Sequence, residues 1–251
     1  MDLNRKPFHG VLNIILFNSW KYIFSLFLLL VMYCLYLNSN SLHQTIFLVL
    51  ILVLVFFLSI SLLISYIIYD YSALYQLPWL PNLEKQNVLN VNAGFDEISN
   101  FLKEKYSEIT LIKSDFFDSE RHTEPSIQRA RKIYPPHSDV VLINTEKNDF
   151  ESNKFDSIIL FFAAHEVRNE QERIAFFKEL SRVLKPEGKI YITEHLRDWV
   201  NFIPYSVGFF HFYSKNSWSK TFYSSDLIIE KEIKTTPFVT TFILTKKWKL
   251  I

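Results

Sequence analysis

The chain is short of cysteine, of glycine and, over its first quarter, of charge. One cysteine, Cys34, stands in 251 residues. That excludes an internal disulfide and any cysteine-based metal site, and no metal site of another kind is expected from the sequence. Excess charge of either sign is missing too: 27 Lys and Arg against 26 Asp and Glu leave a formal +1. A nucleic-acid binder carries a basic patch or a high pI, so no nucleic-acid partner is expected. Only four glycines are present. The stretch VLNVNAGFDEIS at 88–99 begins as a nucleotide-binding strand, turn and helix usually begin, yet it keeps only Gly94 where such turns are normally glycine-rich.

Residues 1 to about 70 hold almost no charge, whereas the remainder has the make-up of a soluble domain. The run at 45–69, TIFLVLILVLVFFLSISLLISYIIY, is 25 residues without a charge. A helix needs about 20 apolar residues to cross the hydrocarbon core, and a buried globular helix of that length carries a polar face. A second apolar stretch reaches back from 37 to about 12, with Trp20 and Tyr22 suited to the headgroup belt and Lys21 able to snorkel. It is too long for a signal peptide, and no small-residue cleavage site follows it. Two transmembrane helices at about 12–37 and 45–69 are therefore expected, forming an anchor over 1–69. Arg5 and Lys6 precede the first span and the turn at 38–44 has no Lys or Arg, which places both termini and the large domain on the cytoplasmic side. Neither span has a mid-membrane charge of the kind pumps and channels use. Residues 70–87, with Pro78 and Pro81, read as a linker of at most about 60 Å that keeps the domain near the bilayer.

From 88 to 251 strands and helices alternate. NVLNV is a short strand. DEISNFLKEKY is a helix with Asp96 as N-cap and Ile98, Phe101 and Leu102 on one face. EITLIKSDFF is a second strand, PSIQRARKIY a helix opened by Pro125, and DVVLIN a third strand. FDSIILFFAA is almost purely apolar, as befits a strand covered on both faces. NEQERIAFFKELSRVL is a helix capped by Asn169 and Glu172, with Ile174, Phe177, Leu180 and Val183 as its buried stripe. KPEG reads as a turn, KIYITEHL as the fifth strand, and LIIEKEIKT with TTFILTKKW as an antiparallel pair. The expected fold is α/β: a Rossmann-like, doubly wound, mostly parallel sheet with an antiparallel C-terminal pair, preceded by two transmembrane helices.

The order of elements, and above all the segment with Phe155 and Asp156 opening a strand, His165 after it, and Arg182, Leu184, Lys185, Pro186 and Gly188 closing a helix, resembles the class I S-adenosylmethionine-dependent methyltransferases. The resemblance implies S-adenosylmethionine as cofactor. It puts Asn90 at the acidic position of the first motif and Asn92, Gly94 and Asp96 at its glycine positions, with Ala93 between, so that motif is degenerate. It further implies Asp115, or Asp118 in its stead, as the partner of the ribose hydroxyls, Asn144 and Thr145 beside the adenine, and Phe161 among the cofactor contacts.

Residues 194–218 follow strand five, where such enzymes shape the acceptor pocket, and are dense in aromatics. Arg197, Tyr205, Phe209, Phe210 and His211 are the candidate acceptor residues, read as the wall of an apolar cavity or as a segment lying on the bilayer. His165 and His195 are the candidate general bases. The combined expectation is a membrane-anchored methyltransferase acting on a lipophilic small molecule such as a quinone, a pigment or a lipid. The alternatives are a non-catalytic Rossmann-fold membrane protein and a cofactor-binding enzyme with other chemistry.

Overall fold

The computed structural model describes residues 6–121 and 124–247. Arg5, half of the charge argument for orientation, and the strand reading from Trp248 onward lie outside the described residues. The N-terminal part holds three helices: α1 (His9–Phe17), α2 (Ser19–Leu37) and α3 (Ser41–Tyr66). The single span expected over 12–37 is two helices. Asn18 ends α1 because its side-chain amide and its backbone N–H both donate to the Ile14 carbonyl. α2 and α3 pack side by side around the turn at Asn38–Asn40, which Asn40 closes by accepting from the His43 N–H at 3.2 Å. Both helices are long and apolar enough to cross a membrane. Their outer faces, with Leu26, Phe27, Leu30, Leu52 and Phe56, are exposed.

α1 belongs to neither span. It turns back onto the domain. Its first amides, at Gly10 and Val11, donate to the two carboxylate oxygens of Asp70 at 2.7 and 2.8 Å. Its last carbonyl, at Phe17, accepts from Arg129 at 2.7 Å, and Asn13 accepts from the Tyr134 hydroxyl at 2.9 Å. α3 continues past Tyr66 into one wide turn at Ile67–Tyr71, closed by Ser72 N–H donating to the Ile67 carbonyl.

Residues 70–87, read as a linker, are packed into the domain. Leu74, Leu77 and Leu83 are fully buried, and Trp79 stacks on Tyr191 with ring centroids 5.7 Å apart. With Ile64 and Ile68 of the α3 end they form the core on one face of the sheet. The last turns of α3 and the domain thus share a hydrophobic core, which a free linker does not allow.

The sheet has seven strands in the order β3-β2-β1-β4-β5-β7-β6. β1 (Asn87–Asn92), β2 (Thr110–Asp115), β3 (Val140–Leu142), β4 (Phe155–Phe161) and β5 (Leu184–Glu194) run parallel; β7 (Val239–Lys246) is antiparallel to β5 and to β6 (Leu227–Thr236). This is the expected Rossmann-like α/β sheet with an antiparallel pair at one edge. α4 (Ser99–Lys105) lies over one face, and α6 (Glu170–Val183) and α8 (Lys215–Tyr223) cover the other, with α5 (Pro125–Ile133) and α7 (Trp199–Tyr205) at the carboxyl ends of the strands. The buried stripe of α6 is Arg173, Phe176, Phe177, Leu180 and Val183; Ile174 is only half-buried. KPEG is not a free turn. It bulges out of β5, so that Leu184 pairs with Phe155 and Lys189 with Ser157. Lys185 holds both oxygens of Asp156 at 2.8 Å, and a Cβ on Gly188 would meet the Asp156 carbonyl at 2.8 Å.

Candidate active site

The carboxyl ends of β1, β4 and β5 converge on one side of the sheet, where open parallel sheets bind ligands. A cavity of about 360 Å³ lies there. Its floor is made by Ala93, Phe161, His165 and His195 at the strand ends. Its roof comes from the N-terminal helices: Asn13 and Phe17 of α1, Tyr22 of α2, and Leu58, Ser61 and Ser65 of α3. Pro204, Tyr205, Gly208, His211 and Phe212 close the side.

The turn after β1 needs one glycine, at a specific place. Asn92 ends β1 in extended backbone, and only Gly94 takes a left-handed conformation, at φ 88°. A Cβ there would lie 2.9 Å from the Phe117 ring and 3.2 Å from Ile127. Asp96, at the last glycine position, accepts from the Ile98 and Ser99 amides and from Asn90, and α4 starts at Ser99, two residues beyond the start that Asp96 as N-cap predicts. Asn90 also donates to Ser99 at 2.8 Å, while among the described residues its side-chain Oδ1 is sealed without a hydrogen-bond partner. Asn92 donates to the Ser114 carbonyl.

Asp115 lies at the end of β2 as expected, and its carboxylate is fully engaged. One oxygen accepts from the Gly94 and Phe117 amides at 2.8 Å, and the other is ion-paired with Arg131, whose guanidinium also stands 4.7 Å from the Phe117 ring. Thr145 is buried and donates to Glu172 at 2.5 Å; Asn144 is exposed and caps the Glu146 amide. Neither reaches the cavity, and Asp118 is tied to Arg121.

The two histidines are in opposite electrostatic states. His165 follows β4 on a short turn. Its Nδ1 is 2.6 Å from Glu194 Oε2 and its Nε2 3.2 Å from Glu166 Oε1. Burial pushes the imidazole down, but the Glu194 and Glu166 carboxylates outweigh it and hold His165 well above the usual histidine range. Glu166 is also opposed by burial, and is held well below the carboxylate range by His165 and His211. With both ring nitrogens donating, His165 has no lone pair to serve as the expected base in this state. His195 is neutral: burial pulls its pKa down to about 3. Its Nδ1 lies 2.9 Å from the Phe238 carbonyl, which can only accept, so Nε2 carries the lone pair. Two hydroxyls face that nitrogen, Tyr69 at 2.7 Å and Tyr205 at 3.0 Å. Burial pushes the Tyr205 phenol up, so it stays a donor.

Of the acceptor candidates, Tyr205 and His211 line the cavity; Arg197, Phe209 and Phe210 do not. Arg197 is exposed, with its backbone amide donating to the Tyr213 carbonyl, and Phe209 packs on Phe202. Phe210, with Trp199, Val200, Ile203 and Val207, is exposed instead, on a segment whose helix α7 packs on α3. One side of the aromatic segment walls the cavity, and the other is an apolar surface beside the long helices. The sequence reading missed Tyr69, Glu124, Glu166 and the α1 and α3 residues. The adjacent pair His165–Glu166 was the one local signal; the rest come from chain segments far apart in sequence.

Residues 89–192 match the family model described as a methyltransferase domain. Over 75 residues the chain is 37% identical to the ubiquinone/menaquinone biosynthesis C-methyltransferase UbiE of Chromobacterium violaceum, a stretch covering 30% of this chain and 28% of that protein. The fold matches a SAM-dependent methyltransferase from Aquifex aeolicus with a TM-score of 0.51, 16% identity, and coverage of 72% of this chain and 92% of that one. It also matches an O-methyltransferase family 2 protein from Planctomyces limnophilus, solved with apigenin, at a TM-score of 0.50, 16% identity, and coverage of 70% and 56%. Residues 89–192 thus resemble a methyltransferase domain by sequence, and the sheet shares the fold of S-adenosylmethionine-dependent methyltransferases.

Proposed function

We propose that the protein is a membrane-anchored S-adenosylmethionine-dependent methyltransferase whose acceptor is a lipophilic small molecule drawn from the bilayer, a quinone precursor foremost. One observation carries this reading: a single cavity is walled jointly by the strand ends of the methyltransferase domain and by the two long apolar helices. Leu58 lies about 12 Å along α3 from its domain-side end, at 1.5 Å per residue, so the roof extends about two turns into the long apolar helix. The similarity to a ubiquinone/menaquinone C-methyltransferase favours a quinone-type ring over a pigment or a lipid. Lys6 before the first span and an uncharged turn at 38–40 support a cytoplasmic placement of both termini and of the domain. Docking of α1 onto the domain keeps the N-terminal end on the domain's side of the hairpin.

The residues present fit the cofactor. The left-handed Gly94 turn lets backbone approach it, the cavity adjoins that turn at Ala93 and Phe95, and the buried Asp115 carboxylate stands behind the turn, accepting the Gly94 amide. When bound, S-adenosylmethionine supplies an electrophilic methyl group. The ribose end asks for a rearrangement, because Arg131 already holds Asp115. Neutral His195, with Tyr69 and Tyr205, positions an oxygen-bearing acceptor by hydrogen bonds at the cavity wall, and the roof helices exclude water. Alignment of acceptor and methyl group then does most of the work.

The test uses the full chain in nanodiscs with methyl-labelled S-adenosylmethionine and a demethylated quinone. Label transfer to the quinone is expected. Ser61→Trp, which fills the α3 side of the cavity, is expected to cut turnover with the cofactor Kd unchanged. Cofactor binding without transfer to any quinone, pigment or lipid acceptor refutes the acceptor class; no cofactor binding at all favours a non-catalytic Rossmann protein.

A further inference from the structure

Four side chains from three distant parts of the chain meet at one corner of the cavity. His165 and Glu166 come from the turn after β4, His211 from the segment before α8, and Glu124 from the start of α5. The ligand atoms of His165, Glu166 and His211 all lie within 4.8 Å of one another. Nearest separations are 3.2 Å for His165 Nε2 to Glu166 Oε1, 3.3 Å for His211 Nε2 to the same oxygen, and 2.9 Å for His211 Nε2 to Glu124 Oε2. Metal–ligand bonds of about 2.0–2.2 Å set neighbouring ligand atoms about 3.0–3.4 Å apart, the spacing seen here.

Two further observations bear on what this cluster can hold. Glu124 Oε2 is sealed from solvent and has His211 Nε2 2.9 Å away. Glu194, fully buried, accepts from the remote nitrogen of His165, the carboxylate–histidine arrangement that orients a metal-bound imidazole and fixes its tautomer.

We propose that His165, Glu166 and His211, with Glu124 as a fourth ligand and Glu194 behind His165, form a binding site for a divalent first-row transition cation. Two imidazoles and two carboxylates suit manganese, iron or zinc rather than magnesium or calcium, which take oxygen-only shells. All four ligands line the cavity, so a further coordination position faces its interior. The cation site stands on the cluster alone; its use to bind and polarise an acceptor oxygen rests on the acceptor reading above.

The experiment uses the tag-free full chain in detergent, dialysed against micromolar Mn²⁺ or Zn²⁺ and then metal-free buffer, with bound metal measured by mass spectrometry and Co²⁺ absorption as a second readout. One cation per chain is expected in the wild type. His211→Gln, at a partly exposed position, is expected to lose it while keeping its circular dichroism and elution volume. Glu194→Gln is expected to weaken it by about 10–100-fold, as for other orienting carboxylates. His137→Gln, on the exposed surface, is expected to change nothing. A wild type that retains no stoichiometric metal, or a His211→Gln variant that retains as much as the wild type, overturns the site. Retained metal with no effect on quinone turnover overturns only the acceptor role, and loss of turnover with metal content intact points back to the methyl-transfer machinery.

Discussion

Asp70→Ala is expected to release α1 from the roof of the cavity without unfolding the domain. The Asp70 carboxylate sits against the first turn of α1 and accepts the Gly10 and Val11 amides at 2.7 and 2.8 Å, in a partly buried position. Those amides have no partner within the helix. Hydrogen bonds to a charged group contribute about 1.5–3 kcal/mol, and a carboxylate at a helix N-terminus adds about 0.3–1 kcal/mol. Since water replaces part of the loss, about 2–3 kcal/mol of docking stability disappears, which lowers the docked-to-undocked ratio about 30- to 160-fold. Arg129 and Tyr134 still hold the far end of α1, so release is a shift in population rather than complete detachment. Hydrogen exchange read by mass spectrometry on the full chain is the assay. Amides of α1 are expected to lose protection by about that factor while those of β1, β4 and β5 keep theirs. Gly10→Val tests the same docking independently, because a Cβ there lies 2.4 Å from Tyr69 Cβ. Unchanged protection in α1, or equal loosening across the sheet, would refute the account of Asp70 as the clasp of a separate roof element.

Arg131→Ala frees Asp115 and is expected to tighten S-adenosylmethionine binding by roughly tenfold, about one hydrogen bond's worth, in calorimetry; weaker or equal binding means the pair supports the ribose site rather than blocking it. Stability should fall from pH 6.5 towards 5 because His195, with its folded pKa near 3, stays neutral while the unfolded chain takes up the proton; the loss is about 2 kcal/mol and should vanish in His195→Gln. His165 acts in the opposite sense: its raised pKa gives stability that is whole below pH 6.5 and is lost as pH rises through the folded value, so Glu194→Gln should flatten the alkaline side of the melting profile. Trp199, exposed on the outer side of the cavity wall, should be quenched by brominated lipid in nanodiscs, and Trp199→Phe should remove that share of the quenching.

The sheet was legible because each strand and helix carries its own period. Beyond Asp156 and Ser157, β4 is an apolar run since both of its faces are covered, and the cap at Asn169 is written in the four residues that form it. Hydropathy also marked both long helices. It did not mark the break at Asn18, because α1 is as apolar as α2; what separates them is a side-chain amide donating to the Ile14 carbonyl, together with a clasp on Asp70. The reading of 70–87 as a linker failed for a related reason. Two prolines suggested a spacer, while Leu74, Leu77 and Leu83 have no period of their own and find their partners across the sheet face.

The glycine-poor turn shows how sequence pattern and steric need part company. A pattern with three glycines asks for three, but the backbone here is left-handed at one position only, and Gly94 occupies it. The other two positions are extended or helix-capping, where Asn92 and Asp96 do work that a glycine cannot: one donates to the neighbouring strand, the other receives the first amides of α4. A degenerate motif is therefore compatible with an intact turn. What the motif could not carry is the chemistry built by pairs remote in sequence. Tyr69 meets His195 across 126 residues, and His211 meets Glu166 across 45. Each of those side chains is unremarkable in its own segment, and only the strand order, by bringing the ends of β4 and β5 together beneath the N-terminal helices, turns them into a site.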